Sequence, residues 1–203
     1  KNDLTGLFSE TLRTRMLLTS AIWVGICFGW YGLVTWIPML MKQMHVDLCW
    51  DPGSGKDSCF YQSSVVVAAA TIPGNICTTL VSDLIGRNLL LAGSSLAAAA
   101  SALTTTQLSD PIWIGVMFCI FNGVSVVGWN MLDLVSVELF PTRLRGSAMG
   151  VLTSLGRAAS AAAQWMYSIQ SGRTSLAVSA VMLALSSAAS LSLPDMTAIE
   201  LQD

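Results

Sequence analysis

The chain has 203 residues, of which 53% are hydrophobic and only 11% charged, with a formal net charge of −2. A soluble domain typically carries about 25% charged residues, so this composition excludes an ordinary water-soluble domain. No basic stripe is present, which excludes a nucleic-acid partner.

The lead-in, residues 1–15, carries Lys1, Arg13 and Arg15 and reads as a cytoplasmic linker. No signal peptide precedes the first apolar run, and a chain that opens on Lys1 reads as a piece of something longer. Uncharged runs cover 16–41, 58–82, 88–109, 111–132 and 174–194, while 147–171 is interrupted only by Arg157. Each exceeds the roughly 18 apolar residues that mark a membrane-crossing helix. None shows the polar stripe at helical spacing that an Ala-rich soluble helix would need. Six spans are therefore expected, at about 16–41, 60–82, 88–108, 111–137, 147–170 and 174–193, with a cytoplasmic tail at 195–203. The expected fold class is an all-α membrane protein, a six-transmembrane-helix bundle.

Six spans place both termini on one face. That face holds Lys1, Arg13, Arg15, Arg87, Arg143 and Arg145, whereas Lys42, Lys56 and Arg173 on the other are diluted by four aspartates. Cytoplasmic loops carry the excess of Lys and Arg, so both termini are expected in the cytoplasm. Cys49 and Cys59 share the sizeable loop on the opposite face. An oxidising compartment permits them to pair, but cysteine count alone leaves a bridge and two free thiols both open. Cys27, Cys77 and Cys119 lie inside spans and read as packing residues. His45 reads as an exposed loop residue.

Gly25, Gly29 and Gly32 lie near one face of the first span, and Gly146 and Gly150 repeat the spacing at the fifth. Small residues four apart let helix backbones approach closely in lipid. Pro38 and the Pro73-Gly74-Asn75 sequence interrupt spans one and two, either as fixed kinks or as bends used in movement. Two short cytoplasmic loops carry charge: Asp83-Leu84-Ile85-Gly86-Arg87, and Glu138-Leu139-Phe140-Pro141-Thr142-Arg143-Leu144-Arg145. Gly86 permits a tight turn, and Asp83, Arg87, Glu138 and Arg145 form a candidate gate that holds helix ends together in one state and releases them in another. Arg157 stands near the middle of the fifth span, where a charge is costly and usually functional. It can grip a carboxylate bidentately; a structural pair with an acid elsewhere is the other reading. No metal-ligand spacing, phosphate loop or nucleophile constellation is present, so neither a cofactor nor catalysis is expected.

D-x-x-G-R followed by E-L-F-P-T-x-x-R resembles the major facilitator superfamily, in its sugar-porter and organic-ion branches. The segment 122–141, with Phe28-Gly29-Trp30-Tyr31-Gly32-Leu33, Pro73-Gly74-Asn75 and Leu91-Ala92-Gly93-Ser94-Ser95, is similar to the synaptic vesicle glycoprotein 2 family. The resemblance covers nearly the whole chain, as helices seven to twelve. It implies half of a twelve-helix fold, the first six helices being absent and the family's long lumenal insert replaced by the Cys49–Cys59 loop. It also implies that Trp30, Tyr31, Trp129, Asn130 and Asp133 face a central cavity. The same tryptophans also read as fillers between helices, and Asp133 as either a proton or cation site or a solvated helix end. Arg157 resembles an arginine in helix eleven of organic-anion transporters, although the neighbouring glycine has moved to Gly156.

The expected function is transport of a small organic ion, anionic by the argument from Arg157, with alternating access and a coupling proton. The expected partners are membrane lipid and a missing N-terminal six-helix half or a partner half. The expected location is a plasma or vesicle membrane. The competing reading is a receptor-like membrane protein that binds small ligands or partners without turnover; a half-transporter that dimerises is a third.

Overall fold

The computed structural model describes residues 10–50, 56–82 and 84–193; most of the lead-in, Asp83 and the 195–203 tail lie outside the described residues. Among the described residues there is no strand. Seven helices follow one another: α1 (Glu10–Gln43), α2 (Lys56–Ala69), α3 (Thr71–Val81), α4 (Arg87–Gln107), α5 (Pro111–Leu139), α6 (Thr142–Ile169) and α7 (Gly172–Leu191).

Helices α2 and α3 form one crossing with a joint at Ala70. The joint has a local cause. Pro73 has no backbone N–H, so the Ala69 carbonyl four residues earlier loses its helical partner. At the same joint the Thr71 hydroxyl donates to the Ala68 carbonyl, at 2.8 Å. The helices are those of an all-α bundle, the fold class expected. Five segments are long and apolar enough to span a membrane: 12–43, 58–81, 87–107, 111–139 and 172–191. Helix α6 is the least apolar of the seven, since it carries Arg143, Arg145 and Arg157 among many alanines and serines.

Helix ends are set by short-range chemistry. The Asp110 carboxylate accepts from Ile112 N at 3.0 Å, with Pro111 in the first turn of α5, the arrangement that satisfies an orphan donor at a helix start. Pro141 ends the run after Phe140 and starts α6, its carbonyl accepting from the Leu144 and Arg145 amides.

Helix α4 packs on α5 and α7, α1 packs on α6 and α7, and α3 packs on α5. Small side chains make these approaches close. Ala98, Ala99 and Ala102 of α4 are buried, and the Ser187 hydroxyl of α7 donates to the Ala92 carbonyl of α4 at 2.8 Å. The glycine face of α1 serves two neighbours. A Cβ at Gly25 or Gly29 would strike Ser186 or Leu183 of α7, and one at Gly32 would strike Ala163 and Tyr167 of α6. Gly146 and Gly150 have the same spacing but meet nothing within 4 Å, so there the spacing makes no interface. At the joint, a Cβ at Gly74 would run into the Gly123 carbonyl, and one at Gly123 would reach the Ala70 carbonyl. Here α3 and α5 touch backbone to backbone.

Gly74→Val should therefore lower the thermal midpoint of the purified protein in detergent, at a cost of about 1–3 kcal/mol for an overpacked contact. Gly93→Ala, at a position with nothing within 4 Å, should be neutral or stabilise by about 0.5–1 kcal/mol.

Candidate functional site

Consecutive residues Trp30 and Tyr31 of α1 meet Trp129 of α5. Trp30 stacks on Trp129 with centroids 5.1 Å apart, and Tyr31 stands edge-on to Trp129 at 5.4 Å. The Trp30 and Tyr31 rings are 4.7 Å apart. These are favourable offset and edge-to-face geometries. A fourth ring, Trp23, packs edge-on against Trp129 at 5.7 Å. Its indole N–H donates to Ser136 Oγ of α5 at 2.8 Å in a buried setting, which fixes the rotation of α5 against α1.

The Trp30 indole nitrogen is shielded from solvent and has no hydrogen-bond partner among the described residues. A buried tryptophan N–H usually finds an acceptor, and an unmet one costs about 1–3 kcal/mol. A ligand acceptor would satisfy it.

Two charges border the rings. The Arg157 guanidinium of α6 lies 5.6 Å from the Tyr31 centroid, within cation–π range. Arg157 is exposed. Asp133, half-buried, follows Trp129 by four residues on α5, which places it about 6 Å along the same helix face. Neither charge forms an ion pair among the described residues. Asn130 is differently engaged: its amide donates to Asn75 Oδ1 of α3 at 2.9 Å, so it ties the second crossing to α5.

Helix α6 is held against the rings by Gln164. Its Oε1 accepts from Trp36 Nε1 at 2.6 Å, while its Nε2 donates to the Tyr31 carbonyl at 3.0 Å and to Thr35 Oγ1 at 2.6 Å. Gln164, Trp36 and Trp23 were absent from the residues singled out by sequence. A glutamine inside an apolar span was the available signal for the first.

At the end of the bundle bearing the 82–87 turn, Arg87 pairs with Glu138, with side chains 31% and 21% exposed. Gly86 precedes the first residue of α4 as its N-cap. Arg145 forms no ion pair among the described residues, and its Nε is shielded without a partner; Asp83 lies outside them. At the opposite end Cys49 and Cys59 form a disulfide, with Cα atoms 4.9 Å apart, and the adjacent Leu48 N–H donates to Ser63 Oγ of α2 at 2.8 Å. Among the described residues no His, Cys, Asp and Glu side chains cluster as metal ligands. Two apolar hollows of about 450 and 390 Å³ lie between α3, α4 and α5 around Cys77 and Val124, apart from the rings.

The sequence model of the Major Facilitator Superfamily matches residues 1–164. The chain is 34% identical to synaptic vesicle glycoprotein 2A of Rattus norvegicus over 138 residues, covering 66% of this chain and 19% of that protein. It is 41% identical to synaptic vesicle glycoprotein 2C of Homo sapiens over 91 residues, covering 44% of this chain and 12% of that protein. The chain thus spans about a fifth or less of the length of these curated relatives.

Reversing one charge tests the Arg87–Glu138 tie. Arg87→Glu should lower the thermal midpoint in detergent by the equivalent of about 1 kcal/mol, the scale of a partly exposed pair. The double exchange of Arg87→Glu with Glu138→Arg should recover most of the loss in a double-mutant cycle.

Proposed function

The chain belongs to the Major Facilitator Superfamily, and on that premise we propose that it is the second six-helix half of a secondary carrier for a small organic anion. In such carriers the substrate site lies near the midplane at the interface of two repeats. The observation that carries the reading is Arg157, a permanent charge near the middle of α6, exposed and beside an aromatic box, with no acid paired to it among the described residues. A charge so placed is costly and marks a substrate path by default. Arginine also offers the planar fork that matches a carboxylate.

The remaining parts take roles around it. Trp30, Tyr31 and Trp129 form the cavity wall, and the unmet Trp30 N–H is a donor for the substrate. Asp133 is the candidate proton site for coupling. The Arg87–Glu138 pair, with Arg145 and the Gly86 turn, acts as a gate whose closed state holds α4 to α5 and whose release lets the halves rock. Asn130 steadies the second crossing during that movement through Asn75. The first half of the carrier is supplied by the missing N-terminal six helices or by a partner half. Positive-inside bias sets both ends of this segment in the cytoplasm, in a plasma or vesicle membrane.

The test is uptake of labelled organic anions into proteoliposomes of the full-length protein, with and without a pH gradient. Arg157→Ala should reduce concentrative uptake by about 10- to 100-fold, the loss expected for one charge-assisted hydrogen-bonded contact, and Arg157→Lys should retain part of it. Unchanged uptake in both variants overturns the role of Arg157. Ligand binding without flux in the wild type overturns the carrier and leaves a receptor-like protein.

A further inference from the structure

Helix α4 buries one side, made mostly of small residues, against α5 and α7. Its other side is bare and regular. Leu89, Gly93, Leu96, Ala100, Leu103 and Gln107 are all exposed, the three leucines by 61%, 55% and 51%. They follow one another at alternating spacings of four and three residues, the 3.5-residue repeat of a coiled-coil seam. In heptad terms leucine takes every d position, while glycine, alanine and glutamine take the a positions. Lipid asks of a helix face only that it be apolar, and sets no alternation of large and small.

Helix α4 is long and apolar enough to span a membrane. Two copies inserted the same way are related by a two-fold axis along the membrane normal. Their α4 helices then run parallel, and each seam residue meets its own counterpart. Small a positions permit the close approach that dispersion rewards in lipid. A Cβ at Gly93 meets nothing within 4 Å, so the surface there is free to receive a neighbour. Beside it lies the hollow of about 450 Å³, bounded by Leu89 and Gly93 of the seam and by Cys77, Val81 and Ile85. Cys77 and Ile85 are exposed, so the hollow opens outward and offers a seat to a leucine from a second copy. At the far end of the seam, the Gln107 amide has both donors and an acceptor for its counterpart. One polar residue at an a position fixes register and pairing.

The area is sufficient. From Leu89 to Gln107 the seam is about 27 Å long, and half the accessible girth of a helix is roughly 20 Å. That gives roughly 500 Å² a copy and about 1,000 Å² for a pair, the size at which stable interfaces begin. The walls of the hollow add to it. We propose that this face of α4 is the contact of a symmetric, parallel dimer, its occupant being a second copy of this chain. The dimer does not depend on what is carried, since the ring wall draws on α1, α5 and α6 and takes nothing from α4.

Association is read by energy transfer between donor- and acceptor-labelled full-length protein in liposomes, diluted stepwise with lipid. Transfer should exceed that of random proximity and fall with dilution as a dimer dissociates. Gly93→Leu, which fills a hole of the seam but enters open space in the single copy, should weaken association about 10-fold or more. Gly93→Ala should largely preserve it, and the near-ultraviolet circular dichroism of both variants should match the wild type, which separates lost contact from lost fold. In a Cys77→Ser background, Ala100→Cys should cross-link between copies under a mild oxidant. Leu185→Cys, at an exposed position of α7, should not. Transfer no greater than random proximity at every dilution leaves the face to lipid and overturns the dimer. Association indifferent to both Gly93→Leu and Leu96→Ala, or cross-linking as fast through Leu185→Cys as through Ala100→Cys, puts the contact elsewhere and overturns the seam.

Discussion

The close approach of α1 to α6 and α7 is the contact on which the other features depend. Helices in lipid gain little from burying apolar surface against one another, because the surrounding chains are equally apolar. Their association rests on dispersion at short range and on hydrogen bonds between side chains. Gly25 and Gly29 admit α7, and Gly32 admits α6. Once α6 lies that close, Gln164 reaches the Tyr31 carbonyl, Thr35 and Trp36. The same approach carries Arg157 to the Tyr31 ring. A larger residue at Gly32 would push away the helix that supplies Arg157.

A second set of contacts sets the opposite wall. Trp23 fixes α5 through Ser136, and Trp129 then falls against Trp30 and Tyr31. The rings are therefore placed by contacts between α1 and α5, and all three stay partly exposed. Local order accompanies unmet polarity, at Trp30 Nε1 and at Arg157 and Asp133, neither of which forms an ion pair among the described residues. The proposed site rests on this polarity rather than on the aromatic cluster, which would serve equally well as packing.

The second crossing has a different character. Its joint at Ala70 follows from Pro73, yet α3 is anchored to α5 by backbone contact at Gly74 and Gly123 and by the Asn75–Asn130 bond. The proline weakens the helix along its own axis, and the glycines hold it laterally. At the far end of α5, Glu138 receives Arg87 from the start of α4. One helix thus links the joint, the ring wall and the ion pair.

The all-α class, most of the apolar segments and the family were legible from the sequence because each depends on one-dimensional signals. These were uncharged runs long enough for a bilayer, proline and glycine at breaks, and the spacing of D-x-x-G-R and E-L-F-P-T-x-x-R. Partner choice was not legible, since a helix presents several faces and periodicity does not say which neighbour each one meets. Gly146 and Gly150 share the spacing of Gly25 and Gly29 but face open space. Arg87 takes Glu138 while Arg145 pairs with no acid among the described residues. Asn130 turns to Asn75, and Cys49 to Cys59, where composition left each choice open. By itself the sequence determined that this is a multi-pass membrane chain, because the bilayer imposes its length and apolarity requirement on each segment separately. Only the tertiary structure decided which side chains share a site, because contacts between helices depend on rotation and close approach, which segment composition does not encode.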